Sequence, residues 1–192
     1  MNRLLTICLQ INLPDPWQIL SWKVAIVTGL AAAILALVQA IAALAQRARE
    51  MRWKQAELAR KLLDDVYDFD PSHNALIMVD EFAESFQLDN GQEIEVSFTD
   101  IDSALSTPVK DHSDKAKYIR RCFDALFYHV ERIEQSIRIK LVKLEDVSRP
   151  AEYYVERLAL HKRSIISYLA FTKYTGAKEF LERFCAWNDK SG

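Results

Sequence analysis

The sequence predicts an all-α chain: one N-terminal transmembrane helix that continues into a stalk, then an antiparallel bundle of four to five helices. Three observations predict it. Val24 to Ala45 is an uncharged run of 22 residues. Beyond it, apolar residues recur at spacings of three and four, the period of an amphipathic helix. The 192 residues include only 4 Gly and 5 Pro, the residues that most often interrupt helices. With 50% hydrophobic and 27% charged residues, the composition is that of a globular chain and excludes a disordered or fibrous one. A formal net charge of −2 excludes a global basic field of the kind that gathers nucleic acid.

Four segments follow: an outer or interfacial stretch over 1–23, the transmembrane helix over 24–45, a basic stalk over 46–70 and a cytoplasmic helical bundle over 71–192. In the first, Leu4, Leu5, Ile7, Leu9, Ile11 and Leu13 make an apolar piece, broken by Pro14 and Pro16, that suits the plane of an interface. At 1.5 Å per residue the uncharged run spans roughly 33 Å, enough for a hydrocarbon core of about 30 Å. Trp17, Trp22 and Trp53 flank it as interfacial anchors, and Lys23 and Arg47 can snorkel at its ends. Before the run the basic residues are Arg3 and Lys23; after it come Arg47, Arg49, Arg52, Lys54, Arg60 and Lys61. The positive-inside rule therefore puts the N-terminus outside and the C-terminal domain in the cytoplasm, as expected of a single-pass inner-membrane protein. Ala43-Leu44-Ala45 resembles a signal-peptidase site, but the run is long for a secretory signal and its basic cluster follows instead of preceding.

The span contains nine alanines and one glycine, in Gly29-x-x-x-Ala33 and Ala32-x-x-x-Ala36-x-x-x-Ala40 patterns that let helix backbones approach closely. Thr28, Ala32, Ala36, Gln39, Ala43 and Gln46 fall near one stripe at helical spacing. A mid-membrane amide is costly against lipid, so Gln39 is expected to face protein or water. Thr28, Gly29, Ala32, Ala36, Gln39 and Ala43 are thus the candidate pore or oligomer interface, and Arg47, Arg49, Arg52 and Lys54 the candidate membrane-flanking cations. The expected partners are the lipid bilayer, further copies in a homo-oligomer, and a cytoplasmic protein or nucleoprotein.

In the stalk, Leu58, Leu62, Leu63 and Val66 give one apolar side. Asp70-Pro71 reads as a stop and restart with Asp70 as N-cap, followed by a helix over Ala75–Leu88 using Leu76, Val79, Phe82, Ala83 and Phe86. Asn90-Gly91 is a turn, Ile94 and Val96 suit a very short strand, and Thr99 can cap a brief helix to Leu105. A loop over Ser106–Asp111 precedes the strongest helical signal, which Ser113 caps. It runs to about Val142 through Ala116, Ile119, Phe123, Leu126, Val130, Ile133, Ile137 and Leu141. Arg149-Pro150 marks the next start, with Tyr154, Leu158, Ile165, Leu169 and Thr172 inward and Gly176 as terminator, and Ala177–Trp187 closes the bundle. Joined by a short connection, the two long helices should pack antiparallel.

Catalytic motifs are missing: there is no Gly-rich phosphate loop, nucleophile elbow, H-E-x-x-H or Cys-x-x-Cys. No cofactor or metal is expected, and the chain is not expected to be an enzyme. Cys8, Cys122 and Cys185 are odd in number and lack metal-ligand spacing; Cys122 and Cys185 read as reduced core thiols. His73 and His112 are expected in solvent. His161 falls on an inner face, more in keeping with a satisfied core histidine than a ligand. Glu134 shares the face of Phe127, Val130, Ile137 and Leu141 and requires a partner, for which Arg157, Arg163 or Tyr168 is available. Glu134, Arg157 and His161 together form a candidate buried polar site.

The layout, with "RRCFDALFYHVERIEQSIRIKLV" and "AEYYVERLALHKRSIISYLAF" in its helical part, resembles small single-pass helical membrane proteins of bacterial phage-defence loci. It is similar in plan to CRISPR-associated accessory membrane proteins with a degenerate HEPN-like domain. The resemblance implies an oligomeric effector that perturbs the membrane when triggered. HEPN ribonucleases pair an Arg and a His to supply charge stabilisation and acid–base catalysis. Here seven residues separate Arg121 from His129 and three separate Arg157 from His161, and neither spacing fits that motif. A membrane-tethered scaffold and a tethered ribonuclease using His129 or His161 are the alternative functions.

Overall fold

The computed structural model describes residues 16–80, 85–88, 90–106 and 113–184. The expected interfacial piece from Leu4 to Leu13, together with Cys8, Phe82, Ala83, His112, Cys185, Trp187 and most of the 106–111 loop, lies outside the described residues. The chain divides into two compact units, Met1–Met51 and Arg52–Gly192. Helix α1 (Pro16–Asp68) belongs to both. The others are α2 (Asp70–Val79), α3 (Phe98–Leu105), α4 (Asp114–Arg138), α5 (Leu144–Leu160), α6 (Lys162–Thr172) and α7 (Thr175–Glu182). Strands β1 (Ser85–Gln87) and β2 (Glu93–Glu95) form one antiparallel hairpin with Phe86 opposite Ile94. The fold is therefore mainly helical, as the sequence predicts.

In the first unit, α1 is apolar and exposed. It is the one helix among the described residues long and apolar enough to cross a membrane; its most apolar window has a mean hydropathy of 2.4 and none of it is buried.

In the second unit, α4 is the central element and packs against α2, α3 and α7. Its inward stripe comprises Ile119, Cys122, Phe123, Leu126, Phe127, Val130 and Ile133, all buried. The C-terminal part of α1 adds Ala59, Leu62 and Val66, α5 adds Val147, Val155 and Leu158, and α7 adds Phe180 and Leu181. Burying each such aliphatic or aromatic side chain contributes about 1.5–3 kcal/mol.

Several boundaries differ from the sequence reading. Phe69, extended at φ −90°, is the N-cap of α2, so Asp70 and Pro71 already lie inside the helix. The Ser72 hydroxyl closes this joint by donating to Val66 O (2.6 Å) and Phe69 O (2.9 Å). Phe86 belongs to β1 instead of to a helix, because Asn90-Gly91 turns the chain into a hairpin with Gly91 at φ 79°. Ser97, not Thr99, caps α3: its hydroxyl accepts from Asp100 N–H and the Asp100 carboxylate accepts from Ser97 N–H, a capping box. Ser113 caps α4 as expected.

Helix α4 ends earlier than Val142. Lys140 adopts the left-handed conformation (φ 62°), and Leu141 N–H and Lys140 N–H return to Ser136 O and Ile137 O, a Schellman closure. Helix α5 starts six residues before Pro150, which sits inside it. The long helix expected through Thr172 is divided at His161 (φ −102°, ψ 19°), the shared cap of α5 and α6. Lys173, left-handed at φ 65°, terminates α6, while Gly176 lies in α7.

Candidate functional site

The apolar part of α1 has two dissimilar faces. At 100° per residue, Ala25, Thr28, Gly29, Ala32, Ala33, Ala36, Gln39, Ala40, Ala43 and Gln46 share an arc of roughly 140°. Every residue on it is Ala, Gly, Thr or Gln. The rest of the circumference carries Val24, Ile26, Val27, Leu30, Ile34, Leu35, Leu37, Val38, Ile41 and Leu44, all exposed. All six candidate interface residues thus fall on the small face at helical spacing, together with Ala25, Ala33 and Ala40. A Cβ at Gly29 would meet nothing within 4 Å, so the face is open there.

The polar groups on this face are not equivalent. The Thr28 hydroxyl donates within its own helix, to Val24 O at 2.8 Å, with Ala25 O at 3.1 Å. Gln46 Nε2 donates to Glu50 Oε1 at 3.0 Å. Gln39 is exposed within the uncharged run, six residues before its last residue, Ala45. Of the four flanking cations, Arg47, Arg49 and Lys54 are exposed. Arg52 is not a free flank: its guanidinium donates to Glu145 and to both oxygens of Asp146, each at 2.9 Å. Those two acids lie in the first turn of α5, where a carboxylate also complements the helix dipole.

The three residues of the expected buried polar site are not brought together. Glu134 is 1% exposed and pairs with Arg183 at 2.5 Å; none of the three partners expected from sequence supplies the contact. Its second oxygen is buried without a hydrogen-bond partner among the described residues. Arg157 pairs with Asp80 (3.3 Å), joining α5 to the end of α2. His161 is buried under Phe98, with ring centroids 3.9 Å apart. Its Nδ1 lies 3.1 Å from Asp102 Oδ1, which also accepts from Ser164 Oγ at 2.7 Å. This group locks α3 to α6. Each of the three residues therefore bridges a different pair of elements.

Other features were not legible in the sequence. Glu131 Oε2 accepts from Ala177 N–H at 2.8 Å and so caps α7 from α4. Gly176 makes room for that carboxylate, since a Cβ would come within 2.8 Å of it. Burial pushes the Asp100 carboxyl up, but hydrogen bonds from Lys115 and Ser97 outweigh it and hold the group below its ordinary value. Burial raises the Cys122 thiol to about 11, so it is an inert core thiol. A cleft of about 320 Å³ opens beside the hairpin, lined by Leu88, Asn90, Asp114, Lys117, Tyr118 and Arg121. His73 is exposed, and His129 is buried with Phe69 and Tyr128 against it. No family model, curated protein or solved structure matches the chain.

Proposed function

We propose that the chain is a membrane-anchored effector that self-associates through the small face of α1 and acts on the membrane under control of its helical domain. The segregation of that helix into a small face and a large apolar face carries the reading. Lipid is as apolar as leucine, so helices associate in it by close backbone approach and by shared polar groups. The small face offers both, and the bulky face suits acyl chains. The basic cluster after the span supports a cytoplasmic position for the helical domain, by the positive-inside rule. The resemblance in layout to phage-defence membrane proteins supports a setting in antiviral defence, with a degenerate HEPN-like domain as the control element.

Ala32→Leu with Ala36→Leu should disperse the oligomer in detergent and in vesicles, whereas Leu30→Ala with Leu37→Ala on the opposite face should leave it intact. Equal behaviour of the two pairs, read by cross-linking and energy transfer, would overturn the assignment of the face. Gln39→Leu separates glue from lumen. Loss of assembly marks an interhelical amide contact, worth about 0.6–2 kcal/mol. Retained assembly with reduced vesicle flux marks a water-holding ring that now closes by dewetting.

A second reading, a tether that only presents the helical domain to a partner, draws support from Thr28. Its hydroxyl is satisfied inside its own helix, which removes one of the polar groups a lumen could use. Function retained after exchange of the span for an unrelated Leu-rich helix would favour the tether.

A further inference from the structure

We propose that the turn between α4 and α5, Ile139 to Leu144, is a second membrane contact: a lipid-headgroup docking surface on the helical unit, formed together with Trp53 and Lys54 of α1. The inference rests on the membrane reading of α1.

The turn is built and held. The Schellman closure at Lys140 fixes its backbone, and Val142, 2% exposed, seats it in the core. Gln55 Nε2 donates to Lys140 O at 3.2 Å, and Arg52 grips Glu145 and Asp146, so the turn lies beside residues 52–55 of α1. Yet Ile139 is 60% exposed, Leu141 50% and Trp53 71%. Three large apolar side chains at one end of the unit therefore have no cover within it. They are interleaved with charge: over 52–55 and 138–146 the basic residues are Arg52, Lys54, Arg138, Lys140 and Lys143, and the acidic ones are Glu145 and Asp146. Arg52 engages both acids, Lys143 also pairs with Glu145, and Arg138 pairs with Glu179, so Lys54 and Lys140 carry the positive charge left over. Aliphatic and indole groups amid lysines match the headgroup boundary of an anionic bilayer.

Connectivity argues for the same occupant. Arg52 follows Ala45, the last residue of the uncharged run, by seven positions, about 10 Å of helix. The headgroup region is about 5–8 Å deep on each side, so Arg52 lies a few ångströms past it and the long side chains of Trp53 and Lys54 can reach back to it once the uncharged run spans the bilayer. A protein partner or a second copy has no comparable tie to this end of the unit.

The test uses the full chain reconstituted in phosphatidylcholine/phosphatidylglycerol vesicles. Cys8 and Cys185 are replaced by Ser, and buried Cys122 is left in place. An environment-sensitive fluorophore is attached through Ile139→Cys or Leu141→Cys. Leu35→Cys reports the span. Lys117→Cys, 22 residues before Ile139 on α4, or about 33 Å along the helix, reports the far end. Labels at 139 and 141 should be blue-shifted and quenched by brominated lipid, whereas the label at 117 stays aqueous. Lys140→Glu with Lys143→Glu should reverse both signals at 139 and 141 and leave the Leu35 label quenched. Aqueous labels at 139 and 141 beside a lipid-quenched label at 35 would overturn the docking surface and leave the membrane reading standing. A blue shift at 139 without quenching by brominated lipid would assign the surface to protein contact and likewise overturn it. An aqueous label at 35 would remove the membrane reading, and this inference with it.

Discussion

Glu134, His161 and His129, buried on inward faces, and half-buried Arg157 show how the fold satisfies the polar side chains of its helices. Each is held by a residue from another element: Arg183 for Glu134, Asp80 for Arg157, Asp102 for His161, and the ring of Phe69 for His129. His129 has a consequence for pH. Burial and the neighbouring Arg132 guanidinium depress its pKa below the ordinary histidine value, with Asp65 opposing. The folded chain then binds its proton later than the unfolded chain does. Above about pH 6.5 both states are neutral at this group; as pH falls below that, the unfolded state is protonated first and stability is lost through the folded-state value. The melting temperature should therefore fall between pH 7 and pH 5.5, and His129→Gln should reduce the fall; an identical pH profile in the variant would exclude the histidine as its source. That Glu134 and His161 are buried was legible, because periodicity places them on inward faces. Their partners were not: Arg183 is 49 positions from Glu134 and Asp102 is 59 from His161, and no local pattern encodes which distant side chain a fold brings near.

Helix existence was legible and helix ends were less so. The long amphipathic repeat of α4 marked the central element, whereas the breaks that shape its neighbours depend on particular backbone conformations. Pro150 looked like a start because proline is at ease in a first turn. The helix nonetheless begins at Leu144, whose position with Val147, Ala151, Val155 and Leu158 continues the apolar stripe, and its acidic first turn is held by Arg52. Burial and pairing thus outweigh the hydrogen bond that a mid-helix proline forgoes. Gly176 looked like a terminator because glycine is the usual left-handed residue; instead Lys173 takes that conformation, and Tyr174 N–H closes on Leu169 O at 3.1 Å. A side chain in this region costs about 1–2 kcal/mol relative to glycine. Lys173→Gly should accordingly raise unfolding free energy by about 1 kcal/mol in denaturant titration; a loss of stability would show that the lysine side chain itself contributes at that site.

For the molecule as a whole, the division between an uncharged helix and a helical domain could be read directly, since it rests on charge and hydropathy alone. The two faces of α1 were visible as a stripe, which at 100° per residue widens to roughly 140° of helix. The proposed docking turn was not visible, because Leu141 continues the apolar period of α4 and reads as core. On the proposed association, the small face also sets the assembly's response to quantity. Alanine has no side-chain rotamers to lose when two helices meet, so the entropic penalty per contact is small. The contact area per alanine is small as well, so no single residue makes the union permanent. Assembly then follows mass action in two dimensions: the assembled fraction is set by copies per unit area of bilayer. Energy transfer between labelled chains should rise steeply as lipid is withdrawn at fixed protein and vanish on dilution with empty vesicles after fusion; a signal indifferent to lipid-to-protein ratio would describe a permanent complex. A membrane protein built this way counts its own surface density, remaining dispersed when scarce and assembling once crowded.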